Sequence, residues 1–253
     1  MELDRQQPRG AFTDTTWAVF HTRWKRGDYR ASFFRDMILV DALRPGPRPT
    51  LLDIGCGTGL DGRADLQRSL RVAAGRYVGV EPDPAVAVGP HFTEVHRCPL
   101  EEAPLAPGSI DVAYASFVLE HLRWPAAFWA KLFDVLVDGG AFWGFTIDVR
   151  HLFGLASMAV QNLGLKERYL DLVRGARASH RRETYPTFYR ANSPQAIRRH
   201  AGRFRSVRMM NLHQTGQFDA YLPPRFHGAA HLVDRLTAAL GLPGPMLVVR
   251  LEK

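Results

Sequence analysis

Apolar residues fall at Phe33, Phe34, Met37, Ile38, Val40 and Leu43, the i, i+3/i+4 recurrence of one helix face. Trp17, Phe20 and Trp24 carry a similar helical spacing just before it. The run Arg44-Pro45-Gly46-Pro47-Arg48-Pro49 ends the helix, because each proline removes a donor and disfavours helix at the preceding residue. From Thr50 onward the pattern becomes one of short apolar runs alternating with helical stretches. Strands are expected over 50–54, 77–80, 93–96, 110–115 and 141–147. One helix is expected through Ala64, Leu66, Leu70 and Val72. Another starts at Pro125 and carries Phe128, Trp129, Leu132, Phe133, Leu136 and Val137, with Gly139-Gly140 as its C-terminal stop. Strands alternating with helices predict a parallel sheet covered on both faces and joined by right-handed crossovers.

Beyond Ile147 the regularity breaks. Residues 151–170 are apolar on nearly every face yet too few for a bilayer span, which predicts a helix packed over the domain. Residues 174–190 are basic and aromatic. Ser193-Pro194 reads as a helix cap followed by proline in the first turn. Two last strands are expected over 204–212 and 246–251, forming an antiparallel edge.

Length and composition narrow the class. The chain has 253 residues, 46% hydrophobic and 23% charged, which suits one large α/β domain. The opening residues lack the apolar stretch of a secretory signal, and Cys56 and Cys98 give no disulfide framework. A reducing, cytoplasmic setting is the expectation. A formal charge of +8 invites a nucleic-acid reading. Yet Lys25, Lys131, Lys166 and Lys253 are the only lysines, and so one-sided an arginine excess, beside many Ala, Gly and Pro, points to coding bias. The arginines between Arg174 and Arg208 keep the nucleic-acid alternative open.

The chemistry starts at Leu51-Leu52-Asp53-Ile54-Gly55-Cys56-Gly57-Thr58-Gly59. A strand ends in an acid, and alternating glycines follow, which lets the backbone turn sharply and lets a ligand approach main-chain N–H groups. The loop parses two ways. Gly55-x-Gly57-x-Gly59 suits adenosylmethionine, whereas Gly57-x-Gly59-x-x-Gly62 matches a dinucleotide fingerprint. Glu81, at the end of the second strand, serves both as a carboxylate for ribose hydroxyls. Asp53 favours the first parse, since a cofactor bearing an ammonium and a sulfonium welcomes a nearby acid and a pyrophosphate does not.

Asp53 through Gly59, Gly79-Val80-Glu81-Pro82-Asp83 and the block from Gly108 to Leu122 stand in an order and spacing that resemble the class I S-adenosylmethionine-dependent methyltransferases of small-molecule type. The resemblance covers roughly residues 50–147, and Gly139-Gly140 before the fifth strand agrees with it. It implies a Rossmann-like fold with a mostly parallel seven-stranded sheet, an antiparallel edge, and a lid made by N-terminal and inserted helices. It implies one methyltransferase domain over 1–253: a helical cap at 1–48, a cofactor core at 49–148, a lid and helix at 149–200, and C-terminal strands at 201–253. Asp53, Gly55, Cys56, Gly57, Thr58 and Gly59 would form the cofactor loop. Glu81 would take the ribose hydroxyls, Pro82 would lie against adenine, and Ser116 and Phe117 would flank the methionine portion. Where such enzymes commonly place an acid for the adenine amino group, this chain has Pro99, so Leu100 and Glu101 are the candidates for that contact.

Methyl transfer requires alignment of the acceptor and, for some acceptors, removal of a proton. His121 is placed for such a base, although an acidic acceptor needs none. Trp17, Tyr29, Tyr185 and Tyr189 are candidates for the acceptor pocket, with core packing the competing role for such aromatics. Cys56 reads as a small filler rather than a nucleophile. His227-x-x-x-His231 has the spacing of two ligands on one helix face, but no acid or cysteine cluster supports a metal. The expected acceptor is a small or lipid-like organic molecule, methylated at O, N or C. The rivals are a nucleic-acid methyltransferase, a non-catalytic cofactor-binding protein and a nicotinamide oxidoreductase.

Overall fold

A computed structural model describes residues 13–44, 46–164, 185–219 and 222–253. The strands are β1 (Thr50–Ile54), β2 (Arg76–Val80), β3 (Glu94–His96), β4 (Ile110–Ser116), β5 (Leu136–Ile147), β6 (Ser206–Leu212) and β7 (Met246–Glu252). They form one seven-stranded sheet in the order β3-β2-β1-β4-β5-β7-β6. Neighbours from β3 to β5 pair in parallel, and β7 runs antiparallel to both β5 and β6. The helices are α1 (Asp14–Lys25), α2 (Arg30–Ala42), α3 (Ala64–Ala73), α4 (Pro125–Val135), α5 (Leu152–Asn162), α6 (Pro194–His200) and α7 (His227–Ala239). The expected antiparallel edge is present, but α7 lies between β6 and β7, so a helical connection rather than a tight turn joins them.

The period-two alternation of the strands builds two cores. Leu52, Ile54, Val78, Val80, Ala113 and Ala115 face α4, where Phe128, Trp129 and Leu132 meet them. Leu51, Tyr77, Val112, Tyr114, Trp143 and Phe145 face the other way, against Phe33, Phe34, Met37 and Ile38 of α2 and Leu66 and Leu70 of α3. The Phe34 and Phe145 rings stack at 4.0 Å. A buried ion pair locks this second layer. Arg250 of β7 donates from Nε and Nη2 to the two carboxylate oxygens of Asp41 in α2, both at 2.8 Å, and Trp143 Nε1 donates to Asp41 at 2.8 Å. Arg44 also bonds Asp41.

Local chemistry sets the element ends. Thr13 and Ser193 cap α1 and α6 by accepting from Thr16 N and Ala196 N. The α4 boundary differs from expectation: the helix stops at Val135, and Leu136 already pairs with Ile110 in the sheet. Gly139-Gly140 therefore lies inside β5, not at a helix cap. A Cβ on Gly140 would sit 2.8 Å from the Val137 carbonyl and 3.1 Å from that of Asp111, beside the register shift between Ile110 and Val112. Close backbone approach, not capping, requires glycine there. Of the expected helix over 151–170, residues 152–162 are helical and 165–184 lie outside the described residues. Among the described residues no helix is long and apolar enough to cross a membrane.

Candidate functional site

The parallel strands end level with one another, Ile54 opposite both Val80 and Ala115. The loops leaving those ends enclose a cavity of about 470 Å³. Its wall includes Gly55, Glu81, Pro82, Pro99, Leu100, Glu101, Ser116, Phe117, Val118, His121, Leu122, Trp124 and Tyr185. This is the carboxyl edge of an open parallel sheet, the usual place for a ligand in such folds.

The glycine loop is shaped by backbone bonds. Gly55 N and Cys56 N both donate to Val80 O, at 2.8 and 3.0 Å, so the loop folds back over the end of β2. Gly55, Gly57 and Gly59 all have positive φ, and a Cβ on Gly55 would lie 2.5 Å from Val118. Gly57 N then donates to Glu81 Oε2 at 3.0 Å, while Asp83 N donates to Glu81 Oε1 at 3.0 Å. Two main-chain donors thus fix a nearly buried carboxylate at the cavity rim, and each oxygen keeps capacity for a further donor. A Cβ on Gly57 would stand 3.6 Å from both Glu81 Oε2 and Val86 Cγ1, but its positive φ of 34° favours glycine.

Asp53 behaves differently from Glu81. It shares the face of Leu51, and its carboxyl turns into the α2 layer rather than the cavity. Tyr114 donates to Asp53 Oδ2 at 2.6 Å and Tyr77 at 3.4 Å, with the two phenol oxygens bonded to each other. Burial raises the Asp53 carboxyl to about 7. Burial, with the Asp53 and Glu81 charges, also pushes the Cys56 thiol up, which leaves it inert as a nucleophile. Burial raises the Glu101 carboxyl as well, within the cavity wall.

A strap over residues 185–192 crosses the strand ends. Tyr185 Oη donates to Asp83 Oδ2 at 3.0 Å, and Phe188 N and Tyr189 N donate to Glu120 O at 2.7 and 3.2 Å. Asn192 O accepts from Val149 N at 2.9 Å. His121 Nδ1 lies 2.9 Å from Pro186 O and must donate to it, which leaves Nε2 as the acceptor of a neutral ring. The Tyr185 ring stands edge-on to His121 at 5.7 Å. At the opposite rim the Arg30 guanidinium covers the Phe117 ring at 4.9 Å, with Phe117 held at a left-handed φ of 56°.

Of the expected site residues, the structure brings Gly55, Glu81, Pro82, Leu100, Glu101, Ser116, Phe117, His121 and Tyr185 around one cavity. Cys56, Gly57, Thr58 and Gly59 belong to the loop behind that wall. Trp17, Tyr29 and Tyr189 are not brought to it: Trp17 packs on Trp143, Tyr29 bonds Asp61, and Tyr189 sits in the strap backbone at φ 51°. Among the described residues no group of three metal-ligating side chains occurs; His231 instead pairs with Asp219 at 2.9 Å. Sequence reasoning missed Val118, Leu122 and Trp124. Their signal was position: they follow the strand whose carboxyl end carries Ser116.

The sheet order and the strand-end carboxylate define an α/β protein built to hold a nucleoside-bearing ligand. Residues 52–144 match the family model described as a methyltransferase domain. An uncharacterized methyltransferase of Mycobacterium sp. (strain KMS) is 36% identical over 138 residues, covering 52% of this chain and 46% of that protein. An uncharacterized 37.1 kDa protein in transposon TN4556 of Streptomyces fradiae is 32% identical over 117 residues, covering 41% of this chain and 31% of that one. The matches thus span less than half the length of these relatives. Among solved structures, a SAM dependent methyltransferase from Archaeoglobus fulgidus aligns over 94% of this chain and 99% of its own, with a TM-score of 0.54 and 12% identity. Geranyl diphosphate C-methyltransferase from Streptomyces coelicolor A3(2), solved with S-adenosyl-L-homocysteine, aligns over 87% of this chain and 75% of its own, with a TM-score of 0.53 and 13% identity.

Proposed function

We propose that this protein transfers a methyl group from S-adenosylmethionine to a small or lipid-like organic acceptor. The observation that carries the reading is the Glu81 carboxylate, fixed by Gly57 N and Asp83 N at the rim of a cavity whose other wall holds Ser116, Phe117 and His121. Glu81 fits the paired hydroxyls of a ribose, and Pro82 and Leu100 offer apolar surface to the base. Glu101, a partly buried acid in the wall, fits an exocyclic amino group. The cofactor, when bound, supplies an activated methyl group on a sulfonium.

The chain's own contribution is placement and protection. The strap with Tyr185 narrows the cavity and excludes water from the methionine end. His121 stands at that end with Nε2 as its acceptor atom, so it can take a proton from an acceptor hydroxyl or amine. Pro186 O orients the ring by accepting from Nδ1, and the proton taken at Nε2 leaves to solvent when the product departs.

Isothermal titration tests the reading. S-adenosylmethionine is expected to bind the wild-type chain while NAD does not. Glu81→Ala should weaken adenosylmethionine binding about a hundredfold, the loss of two hydrogen bonds to a charged group, with the far-ultraviolet circular dichroism of the fold retained. Equal affinity in the variant, or preference for NAD, overturns the assignment.

A further inference from the structure

Helix α7 is amphipathic the wrong way round for a helix that only closes a fold. Its inward positions are Ala230, Asp234 and Thr237, while its outward positions include Leu232, Val233 and Leu236, with Leu240 just beyond its end. Leu232, Leu236 and Leu240 are 57%, 52% and 73% exposed. The polar side is only partly satisfied from within: Asp234 Oδ2 accepts from Gly216 N at 2.9 Å, while its buried Oδ1 makes no hydrogen bond among the described residues and stands 4.0 Å from His151 Nε2. That approach ties α7 to the first turn of α5, where Leu152 and Leu155 are also exposed. Leucines turned outward on a helix whose inward face is polar mark a surface made for an apolar partner.

The charges select the partner. The single carboxylate of α7 is the buried Asp234, and the exposed charges beside the leucines are Arg225, next to Phe226, and Arg235. Among the described residues neither arginine has a carboxylate in salt-bridge contact. A second copy of this chain, itself of formal charge +8, would bring arginine towards arginine, and the part-exposed carboxylate that lies against α7, Asp219, is already engaged with His231. An anionic lipid surface supplies both an apolar layer for the leucines and phosphates for the arginines. The placement suits that partner, because α5 follows β5 and α7 leaves from β6, both at the sheet edge that carries the cavity.

We infer that the outward face of α7, with Leu152 and Leu155 of α5, is a docking surface for an anionic membrane. The leucines enter the headgroup boundary while Arg225 and Arg235 stay at phosphate level. A lipid-like acceptor could then reach the cavity from the bilayer. That last step rests on the methyltransferase reading; the docking does not.

The test is co-sedimentation of the full chain with vesicles of phosphatidylcholine, with and without phosphatidylglycerol, over a range of salt. Binding is expected only to the phosphatidylglycerol vesicles and should fall as salt rises. Leu232→Glu/Leu236→Glu should weaken it at least about tenfold, and Arg225→Gln or Arg235→Gln about fivefold each. All these positions are exposed, so circular dichroism and adenosylmethionine affinity should match wild type, which separates failed docking from failed cofactor binding. Absence of vesicle binding, binding indifferent to lipid charge, or undiminished binding by the leucine variant overturns the inference. So does a wild-type dimer in sedimentation velocity that the leucine variant abolishes, which would assign the face to a second copy.

Discussion

The two sides of the sheet treat buried acids in opposite ways. On the β5-β7-β6 side, Asp41 is fully buried but meets Arg250 in a two-pronged pair and Trp143 in a third bond. On the β3-β2-β1-β4 side, Asp53 and Glu81 are nearly as buried, and among the described residues neither has a cationic partner. Phenols hold Asp53 and main-chain N–H groups hold Glu81. A buried acid without a cation lowers stability, so it persists where something besides stability requires it. The first side is scaffold. The second holds one acid, Glu81, at the cavity rim beside the glycine loop and turns the other, Asp53, into the α2 layer.

The largest effect should come from breaking the compensated pair. Arg250→Met leaves Asp41 buried with its main partner gone and only Arg44 and Trp143 bonded to it, and breaking a buried pair of this kind costs up to about 3–5 kcal/mol. Urea denaturation should show that loss, and Asp41→Asn combined with Arg250→Met should recover much of it. Equal stability of the single and double variants would mean that Arg44 alone neutralises Asp41, and the contrast between the two sides would weaken.

Asp53 gives the converse test through pH. Its carboxyl is raised to about 7 in the folded chain from 3.8 when exposed, with burial as the main cause. Between those values the folded state holds a proton that the unfolded state has released. Stability from this group is therefore full below about pH 4 and lost as pH rises to about 7, on the order of 4 kcal/mol in all. Asp53→Asn should flatten that slope, measured as urea midpoints at pH 5 and pH 8. Parallel slopes in both proteins would show that Asp53 does not carry this pH dependence.

How much of this was legible depended on whether a residue's partner is near in sequence. Strands β1, β2 and β4 were readable because each is a short apolar run that ends at a turn, whereas the first five residues of β5 passed for the end of a helix. Glu81 was readable for the same reason, as an acid at a strand end one crossover after the glycine loop. Asp53 was legible as an acid at a strand end, but the phenols that hold it were not. Its parity with Leu51 points it at the α2 layer, where Tyr77 and Tyr114 arrive from neighbouring strands. Gly139-Gly140 looked like a helix stop because the register shift that requires glycine in β5 is a property of strand pairing. Helix α7 left no core stripe to read, since Ala230, Asp234 and Thr237 form its inward face. The Asp41–Arg250 pair joins residues 209 positions apart, and no local pattern announces it.

The smallest expected effect sharpens the ligand side of the comparison. Tyr185 reaches from the strap to Asp83, two residues past Glu81, and its ring borders His121. Tyr185→Phe removes the hydroxyl and keeps the ring, so one hydrogen bond of about 1 kcal/mol is at stake. Adenosylmethionine affinity should drop about fivefold, with stability lowered by no more than about 1 kcal/mol. Tyr185→Ala also uncovers His121 and widens the cavity, so its loss should be larger and appear mainly as faster cofactor release. If the phenyl and alanine variants release the cofactor equally fast, the ring does nothing to hold the ligand and the hydroxyl alone ties down the strap. If neither differs from wild type, retention rests with Glu81 and the glycine loop, and the strap serves the acceptor instead.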